Sequence, residues 1–371
     1  MKRIYFTFFL LVNSINLHAQ NADTLAFETY LEWVKSYHPL AVQADIMLTM
    51  GDMEVRTARG SFDPLLYGNL DNKSYDEKTY YDKREAGISI PTWAGIELNG
   101  AFEQNSGQYL NPENSVPSGG LLSAGASINL GQGLILDDRR AGLRKAQIYQ
   151  QSTETDRTRM LNELYLQATE AYWDWSLAHA NRDLLEENVE LAKIRFRGVK
   201  ISYEQGDFPA IDTVEAATQL LNREYNLQKA ENELFIRTQE LSNFLWDESG
   251  NPIILNLETL PESLYAPKLL TLNEEELRTL IANHPELMLV DFELATLDVE
   301  RRLKAQSIIP VVKLKYNFLS EELNNFEQSG FYENNYKWGL SIYTPLLLRK
   351  ARGATRLAEA KIDFKENARN L

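Results

Sequence analysis

The sequence predicts an α+β membrane protein that combines long antiparallel α-helical coiled-coil hairpins with β-strands contributed to a barrel shared between chains. Three observations predict this class. The N-terminus has the features of an export signal, several segments alternate apolar and polar residues, and a proline-free helical pattern extends from about Leu134 to Ser202.

The composition excludes several classes of protein. The chain has 371 residues, 44% of them hydrophobic, which is sufficient for a folded core. It has no cysteine, so disulfides, thiolate zinc sites, cysteine nucleophiles and a lipidated N-terminal cysteine are excluded. The formal net charge of −15 argues against nucleic acid as a partner, because phosphate binding requires clustered Lys and Arg.

Residues 1–20 are predicted to be a secretory signal peptide. Lys2 and Arg3 precede an apolar run at 4–12, and Ala19 supplies the small residue near a cleavage point. The run is too short to span a bilayer, which requires about 20 residues, and no run of about 18 uncharged apolar residues follows it. We therefore expect an exported protein whose only route into a membrane is a β-barrel.

The remaining chain is predicted to contain two copies of one unit. The pairs His38-Pro39 and His284-Pro285 lie 246 residues apart, and each is followed at the same spacing by a second proline, Pro64 or Pro310. In each copy the first proline suits the start of a helix, and the second ends it and precedes strands. The first helix of each copy shows a coiled-coil seam of apolar and small residues. These residues are Ala41, Ala44, Leu48, Gly51, Val55 and Ala58, then Leu287, Val290, Leu294 and Leu297.

The predicted strands alternate in polarity. Segments 124–130, 312–318 and 336–342 alternate, and a further pair is predicted within Arg84–Glu103, which leaves the strand count open. This pattern is typical of outer-membrane strands with an apolar outer face, although a half-buried sheet of a soluble protein shows it too. A barrel needs about eight strands, so several chains are expected to share one. Aromatic residues predicted for the outer face are Tyr316, Phe318, Tyr336 and Trp338.

Between the two copies the pattern is helical. A helix from Leu134 to Ser202 would be roughly 100 Å long at 1.5 Å per residue. Gly206 and Pro209 end it, and a return helix follows with leucines at heptad spacing. Those leucines are Leu220, Leu227, Leu234 and Leu241.

The predicted organisation follows from these segments. It comprises the signal peptide 1–20, first-repeat helices 21–63, first-repeat strands and extracellular loops 64–130, the long periplasmic hairpin 131–246, a linker 247–270, second-repeat helices 271–309, second-repeat strands 310–344 and the start of a second hairpin 345–371. The second copy lacks a complete hairpin, so internal symmetry predicts a C-terminal truncation of roughly 90 residues.

Together these features resemble the outer-membrane efflux proteins, the TolC-like family. The most specific matches are the two His-Pro starts, the segment 342–346 and the segment 206–216, and the resemblance extends from Thr24 to Leu371. It implies a homotrimer with one shared transmembrane barrel in the outer membrane of a Gram-negative cell and helices in the periplasm. It also implies a passive channel of a tripartite efflux or type I secretion system that exports drugs, metals or proteins, with a periplasmic adaptor (membrane fusion protein), an inner-membrane pump and outer-membrane lipid as partners.

The resemblance also implies roles for individual residues. Gly206, Asp207 and Phe208 would form the periplasmic tip where the adaptor docks, although a helix C-cap explains Gly206 equally well. Asp212 would form the constriction, or it would only be the N-cap of the return helix. Three lysines, Lys313, Lys315 and Lys337, would face the barrel lumen, or they would simply belong to a solvated face.

No catalytic residue, metal site or cofactor is expected. The histidines other than the one in the signal peptide, His38, His179 and His284, have no partner at metal-ligand spacing, and no nucleophile elbow or phosphate-binding loop is present. Two other functions remain open at this point. A structural coiled-coil protein of the cell envelope would need the heptads but not the strands, and a periplasmic adaptor would share the long hairpin.

Overall fold

The computed structural model describes residues 24–262, 273–321 and 335–369. The predicted signal peptide, part of the predicted linker and residues 322–334 within the predicted second-repeat strands lie outside the described residues. The helices are α1 Phe27–Tyr37, α2 Pro39–Gly60, α3 Asp138–Glu204, α4 Ala210–Ser242, α5 Glu274–Ala282, α6 Pro285–Gln306 and α7 Arg349–Arg369. The strands are β1 Thr24–Leu25, β2 Leu65–Tyr75, β3 Lys78–Pro91, β4 Ile96–Ser106, β5 Leu121–Asn129, β6 Leu260–Pro261, β7 Val311–Ser320 and β8 Tyr336–Tyr343.

The two copies begin in the same way. Helices α2 and α6 each have 22 residues and each start at the proline of a His-Pro pair. The preceding imidazole caps the helix: Nδ1 of His38 accepts from the N–H of Leu40 at 3.2 Å, and Nδ1 of His284 accepts from the N–H of Glu286 at 3.4 Å. Proline suits this position because the first helical N–H has no intrahelical partner.

The described residues divide into two compact units, and one of them is helical. It contains α1, the part of α3 after residue 160, and α4. Its core is built around Tyr30, Tyr172 and Trp175, which are fully buried. The hydroxyl of Tyr30 donates to the carbonyl of Ala168 at 3.2 Å. These aromatic side chains fix α1 against α3.

Helix α4 runs back alongside α3. The guanidinium of Arg237 lies 3.6 Å from the carboxylate of Asp174, and the heptad residues Leu234 and Leu241 are buried in the same core as Trp175. Since the turn at 205–209 joins the two helices, the pairing of 174 with 237 requires antiparallel directions.

The second unit contains α2, the start of α3, α6, α7 and a six-stranded antiparallel sheet. The strand order is β2-β3-β4-β5-β7-β8. Helix α2 packs closely on α3, since a Cβ added at Gly51 would lie 2.9 Å from Oγ1 of Thr153. Helices α6 and α7 are joined by the ion pair of Lys365 with Glu293 at 2.6 Å.

The start of one helix and the presence of one strand differ from the sequence-based expectation. Helix α3 begins at Asp138 and not at Leu134, because Oδ1 of Asp137 accepts from the N–H of Arg140 at 2.9 Å and caps the helix there. The alternation pattern also missed β2, Leu65–Tyr75, whose Gly, Asn and Asp residues are disfavoured in strands. Pairing with β3 along its whole length overrides that preference.

Candidate functional site

The six-stranded sheet has one polar face and one apolar face. Because paired residues share a face, the ladder places Asn129, Lys313 and Ser341 on the polar side, and Ile128, Leu314 and Leu340 on the other. On the polar side Ser123, Ser127 and Asn317 are only 5–6% exposed, whereas many apolar side chains on the other side are exposed. This is the reverse of the arrangement in a soluble sheet, where the apolar face is covered.

Hydrogen bonds tie the polar face together across strands. The hydroxyl of Ser89 donates to Glu97 at 2.7 Å, and the hydroxyl of Tyr67 donates to Glu85 at 3.0 Å. The side-chain amide of Asn99 on β4 donates to Asn317 on β7 at 2.9 Å, past the intervening strand β5. These bonds hold the polar side chains in fixed positions on one side of the sheet.

The three predicted lumen lysines lie together on this polar face. Lys313 pairs with Asn129 and Ser341, Lys315 with Ser127 and Gly339, and Lys337 with Asn317. All three side chains are exposed. The three lysines therefore share the polar face, as the alternation pattern predicts, and their role in a lumen stays a prediction.

The four aromatic residues lie on the opposite face. Tyr316, Phe318, Tyr336 and Trp338 are 39–59% exposed. The Tyr316 ring is stacked on Tyr336 with centroids 5.8 Å apart, and its centroid lies 5.0 Å from that of Phe318. They form one exposed aromatic cluster at the end of β7 and β8 remote from the helices.

The turn between α3 and α4 has the geometry of a Schellman cap. The N–H of Gly206 donates to Tyr203 at 3.0 Å, and the N–H of Asp207 donates to Ser202 at 2.9 Å. Gly206 has φ of 87°, the left-handed conformation that favours glycine. Gly206 is therefore the C-terminal cap of α3, which is one of the two roles predicted for it.

The alternative that Asp212 is the N-cap of α4 is wrong. Pro209 occupies that position and makes no side-chain cap bond. Asp212 lies within the first turn, where a carboxylate interacts favourably with the positive end of the helix dipole. The side chain of Asp212 is partly exposed, so it is accessible to other groups.

Exposed apolar side chains surround this turn. Ile211 is 68% exposed, Val214 is 59% exposed, and Tyr203 and Phe208 are 46% and 45% exposed. Phe208 was predicted as a site residue from the sequence, but the other three were not. Their spacing around the glycine turn is the sequence signal that could have indicated them. We refer to Tyr203, Phe208, Ile211 and Val214 as the turn cluster.

Two other kinds of site, a metal-binding cluster and a membrane-spanning helix, are absent from the described ranges. Across residues 24–262, 273–321 and 335–369, no three His, Cys, Asp or Glu side chains are grouped so as to hold a metal ion. Within the same ranges, no helix is both long enough and apolar enough to cross a membrane.

Comparison with known proteins identifies the fold. No protein-family model and no curated protein matches the sequence. Among solved structures, a membrane protein from Pseudomonas aeruginosa is similar at 14% identity and a TM-score of 0.59, over 92% of this chain and 71% of that one. The outer membrane protein VceC from Vibrio cholerae matches at 13% identity and 0.58, over 92% and 74%. The CmeC outer membrane channel from Campylobacter jejuni matches at 12% and 0.59, over 92% and 66%. The resemblance stated from the sequence is confirmed at the level of the fold.

Proposed function

We propose that this chain, which has the fold of outer-membrane channels, is itself a subunit of an outer-membrane channel and acts as a passive conduit for export. The observation that carries the proposal is the exposed apolar face of the sheet, which lies opposite a polar face on which Ser123, Ser127 and Asn317 are buried. Leu66 and Leu70 on β2 are 78% and 82% exposed, and Trp338 and Ile342 on β8 are 59% and 65% exposed. In water such a continuous apolar surface is unfavourable, whereas lipid acyl chains would cover it.

The polar face would then line the lumen. Lys313, Lys315 and Lys337 project from it, and charged rings of this kind bias which ions pass. Reversing the charge with Lys313→Glu and Lys315→Glu should shift the reversal potential in a salt gradient toward cation selectivity. The matched variants Lys313→Arg and Lys315→Arg should leave it unchanged, and an unchanged potential in the Glu variant would contradict the lumen assignment.

The proposed assembly is a homotrimer in which each chain adds its strands to one barrel and α3 and α4 extend into the periplasm. A periplasmic adaptor would dock at Gly206, Asp207 and the turn cluster, because an exposed apolar cluster beside a rigid turn is a common form of protein-binding surface. An inner-membrane pump would supply the energy. The channel itself would need no cofactor.

Fractionation is the first test of this proposal. The protein should be found in the outer membrane, should require detergent for extraction, and should migrate on gels as an oligomer that dissociates only on heating. A salt-extractable periplasmic protein would contradict the proposal. The structural envelope protein or the adaptor would then be the better explanation.

The constriction role of Asp212 has its own test. Carboxylates that narrow the periplasmic end should limit ion flow, so Asp212→Ala should raise the single-channel conductance in a planar bilayer. Glu231→Ala, on the same helix and far from the turn, is the control and should leave conductance unchanged. Equal conductance for wild type and Asp212→Ala would refute a gating role.

A further inference from the structure

The first copy of the repeat contains two more strands than the second. Strand β2 begins at Leu65 and β7 at Val311, which are equivalent positions of the duplication. In the described residues the second copy then has only β7 and β8, while the first copy has β2, β3, β4 and β5 before its long helix. The β3–β4 hairpin therefore has no counterpart among the described strands of the second copy, and we call it the inserted hairpin.

This inserted hairpin is a regular part of the sheet. Strand β3 pairs with β2 along Leu65–Tyr75, and β4 pairs with β5 along Ile96–Glu103. The polar and apolar faces continue across it without interruption, as the pairs of Ser89 with Asn99 and of Ile88 with Gly100 show. The hairpin thus separates β2 from β5 and does not fold away from the sheet.

The described sheet has two free edges, β2 and β8. Each has a described neighbour on one side only. Because the sheet has six strands and every adjacent pair is antiparallel, β2 and β8 run in opposite directions. Rotated copies can therefore join β8 to β2 edge to edge and remain antiparallel throughout, as closed membrane barrels do.

The stagger of the sheet matches a tilted barrel. A row of paired residues runs from Leu65 through Ser89, Asn99, Gly125 and Asn317 to Lys337. The helix-side ends of the edge strands are Leu65 and Tyr343. If Tyr343 of one copy lies opposite Leu65 of the next copy, then Lys337 at the end of this row lies opposite Asp71 of that next copy. A stagger of about six residues over six strands corresponds to a tilt of about 35°, which lies in the range of known barrels.

The same register brings complementary side chains together. With Leu65 opposite Tyr343, antiparallel counting places Asp71 opposite Lys337 on the polar face, Leu70 opposite Trp338 and Gly68 opposite Leu340 on the apolar face. Opposite charges and aromatic–aliphatic pairs facing each other across strands are stabilising. Both Asp71 and Lys337 are exposed in the single chain, so both are available for this contact.

We infer that β8 of each chain pairs with β2 of the next copy, and that three chains with six strands each close a barrel of eighteen strands. This inference rests on the proposed channel function and takes the number of chains from the proposed homotrimer. Without the β3–β4 hairpin the same assembly would have twelve strands. At the spacing and tilt above, eighteen strands give a barrel about 34 Å wide between backbones, against about 23 Å for twelve. The inserted hairpin therefore widens the pore at the outer membrane.

Cysteine cross-linking tests the seam, because the chain has no cysteine of its own. The double variant Asp71→Cys with Lys337→Cys is expressed in the full chain, oxidised in outer-membrane vesicles and examined on non-reducing gels. Directly opposed residues in an antiparallel pair have Cα atoms about 4.5–5.5 Å apart, which suits a disulfide. The amount of covalent trimer should exceed the amount formed by either single variant by at least about tenfold, and reduction should abolish it.

The control variant is Asp71→Cys with Ser341→Cys. Ser341 shares the face of Lys337 but lies about 13 Å further along β8, beyond disulfide reach. This control should give no covalent trimer. The contrary result is a heat-modifiable outer-membrane oligomer in which Lys337→Cys gives no cross-link with a cysteine at 69, 71 or 73. That result would overturn the eighteen-stranded barrel but would not contradict the channel function. A chain that forms no outer-membrane oligomer would overturn both.

Discussion

The side-chain amide of Asn99 donates a hydrogen bond of 2.9 Å to the side-chain carbonyl of Asn317 across β5. Gly125 is the β5 residue in the same row of the ladder, paired with both asparagines. A Cβ at Gly125 would overlap Oδ1 of Asn317 and the carbonyl oxygen of Tyr316. The absence of a side chain at this position is therefore what allows three strands to be bridged on the polar face.

We predict that Gly125→Ala destabilises the sheet. The added methyl group must displace backbone atoms and break the Asn99–Asn317 bond, with a cost of about 1–3 kcal/mol or more. The measurement is the temperature at which the oligomer dissociates on gels. Gly100→Ala is the matched control, since a Cβ there meets its neighbours at ordinary distances of 3.6 and 3.8 Å. Equal dissociation temperatures for the two variants would contradict the prediction.

Tyr172 holds both chain segments that pair as β1 and β6. Its hydroxyl donates to the carbonyl of Leu25 at 2.7 Å and accepts from the N–H of Glu262 at 3.1 Å. Tyr172→Phe keeps the ring packing but leaves both backbone groups unsatisfied, so we expect a loss of about 1–3 kcal/mol in the free energy of unfolding. Denaturant titration of the purified protein measures it. Tyr225→Phe, at a side chain that is 68% exposed, should change nothing.

The close approach of α2 to α3 depends on Gly51. A Cβ there would lie 2.9 Å from Oγ1 of Thr153 and 3.1 Å from Cα of Gln150. Gly51→Leu should therefore separate the helices and cost about 2 kcal/mol or more. Gly142→Leu is the control, because a Cβ at Gly142 meets nothing within 4 Å and leucine has the higher helix propensity. Thermal unfolding should shift downward for the first variant and stay level or rise for the second.

The starts of α2 and α6 and the end of α3 could be predicted from the sequence because their signals are local. Proline after His38 and His284 fixes each helix start, and the glycine at 206 fixes the end of α3. The capping role of the two imidazoles could not be predicted, since histidine is not among the common N-cap residues. It depends on the rotamer that brings Nδ1 to the N–H of the second residue of each helix.

The sheet was predictable only where each strand carries its own alternation. Strands β7 and β8 alternate cleanly, so the face of Lys313 and Lys337 follows from the pattern. Strand β2 forms because the next strand, β3, pairs with it along its whole length, and that pairing leaves no alternation within β2 itself. The N-cap alternative for Asp212 was wrong for a local reason, because Pro209 takes the cap position that aspartate would otherwise fill.

His179 predicts how stability depends on pH. The side chain is 3% exposed and packs edge-on against Trp175, with ring centroids 5.0 Å apart. Neither ring nitrogen has a hydrogen-bond partner among the described residues. Burial lowers the pKa of His179, the positive charge of Arg182 lowers it further, and Asp183 opposes this. The folded protein therefore binds a proton at this imidazole less readily than the unfolded chain does.

A lowered pKa in the folded state means that the unfolded chain binds the proton first as the pH falls. Stability should be highest above the ordinary histidine pKa of about 6.5 and should decrease below it, as protonation favours unfolding. His38 also has a pKa lowered by burial and adds to this trend. His179→Leu removes the contribution of His179. The melting temperature of His179→Leu relative to that of wild type should therefore rise as the pH falls from 7.5 to 5.5. Parallel profiles for wild type and His179→Leu would show that the buried imidazole is not a source of the pH dependence.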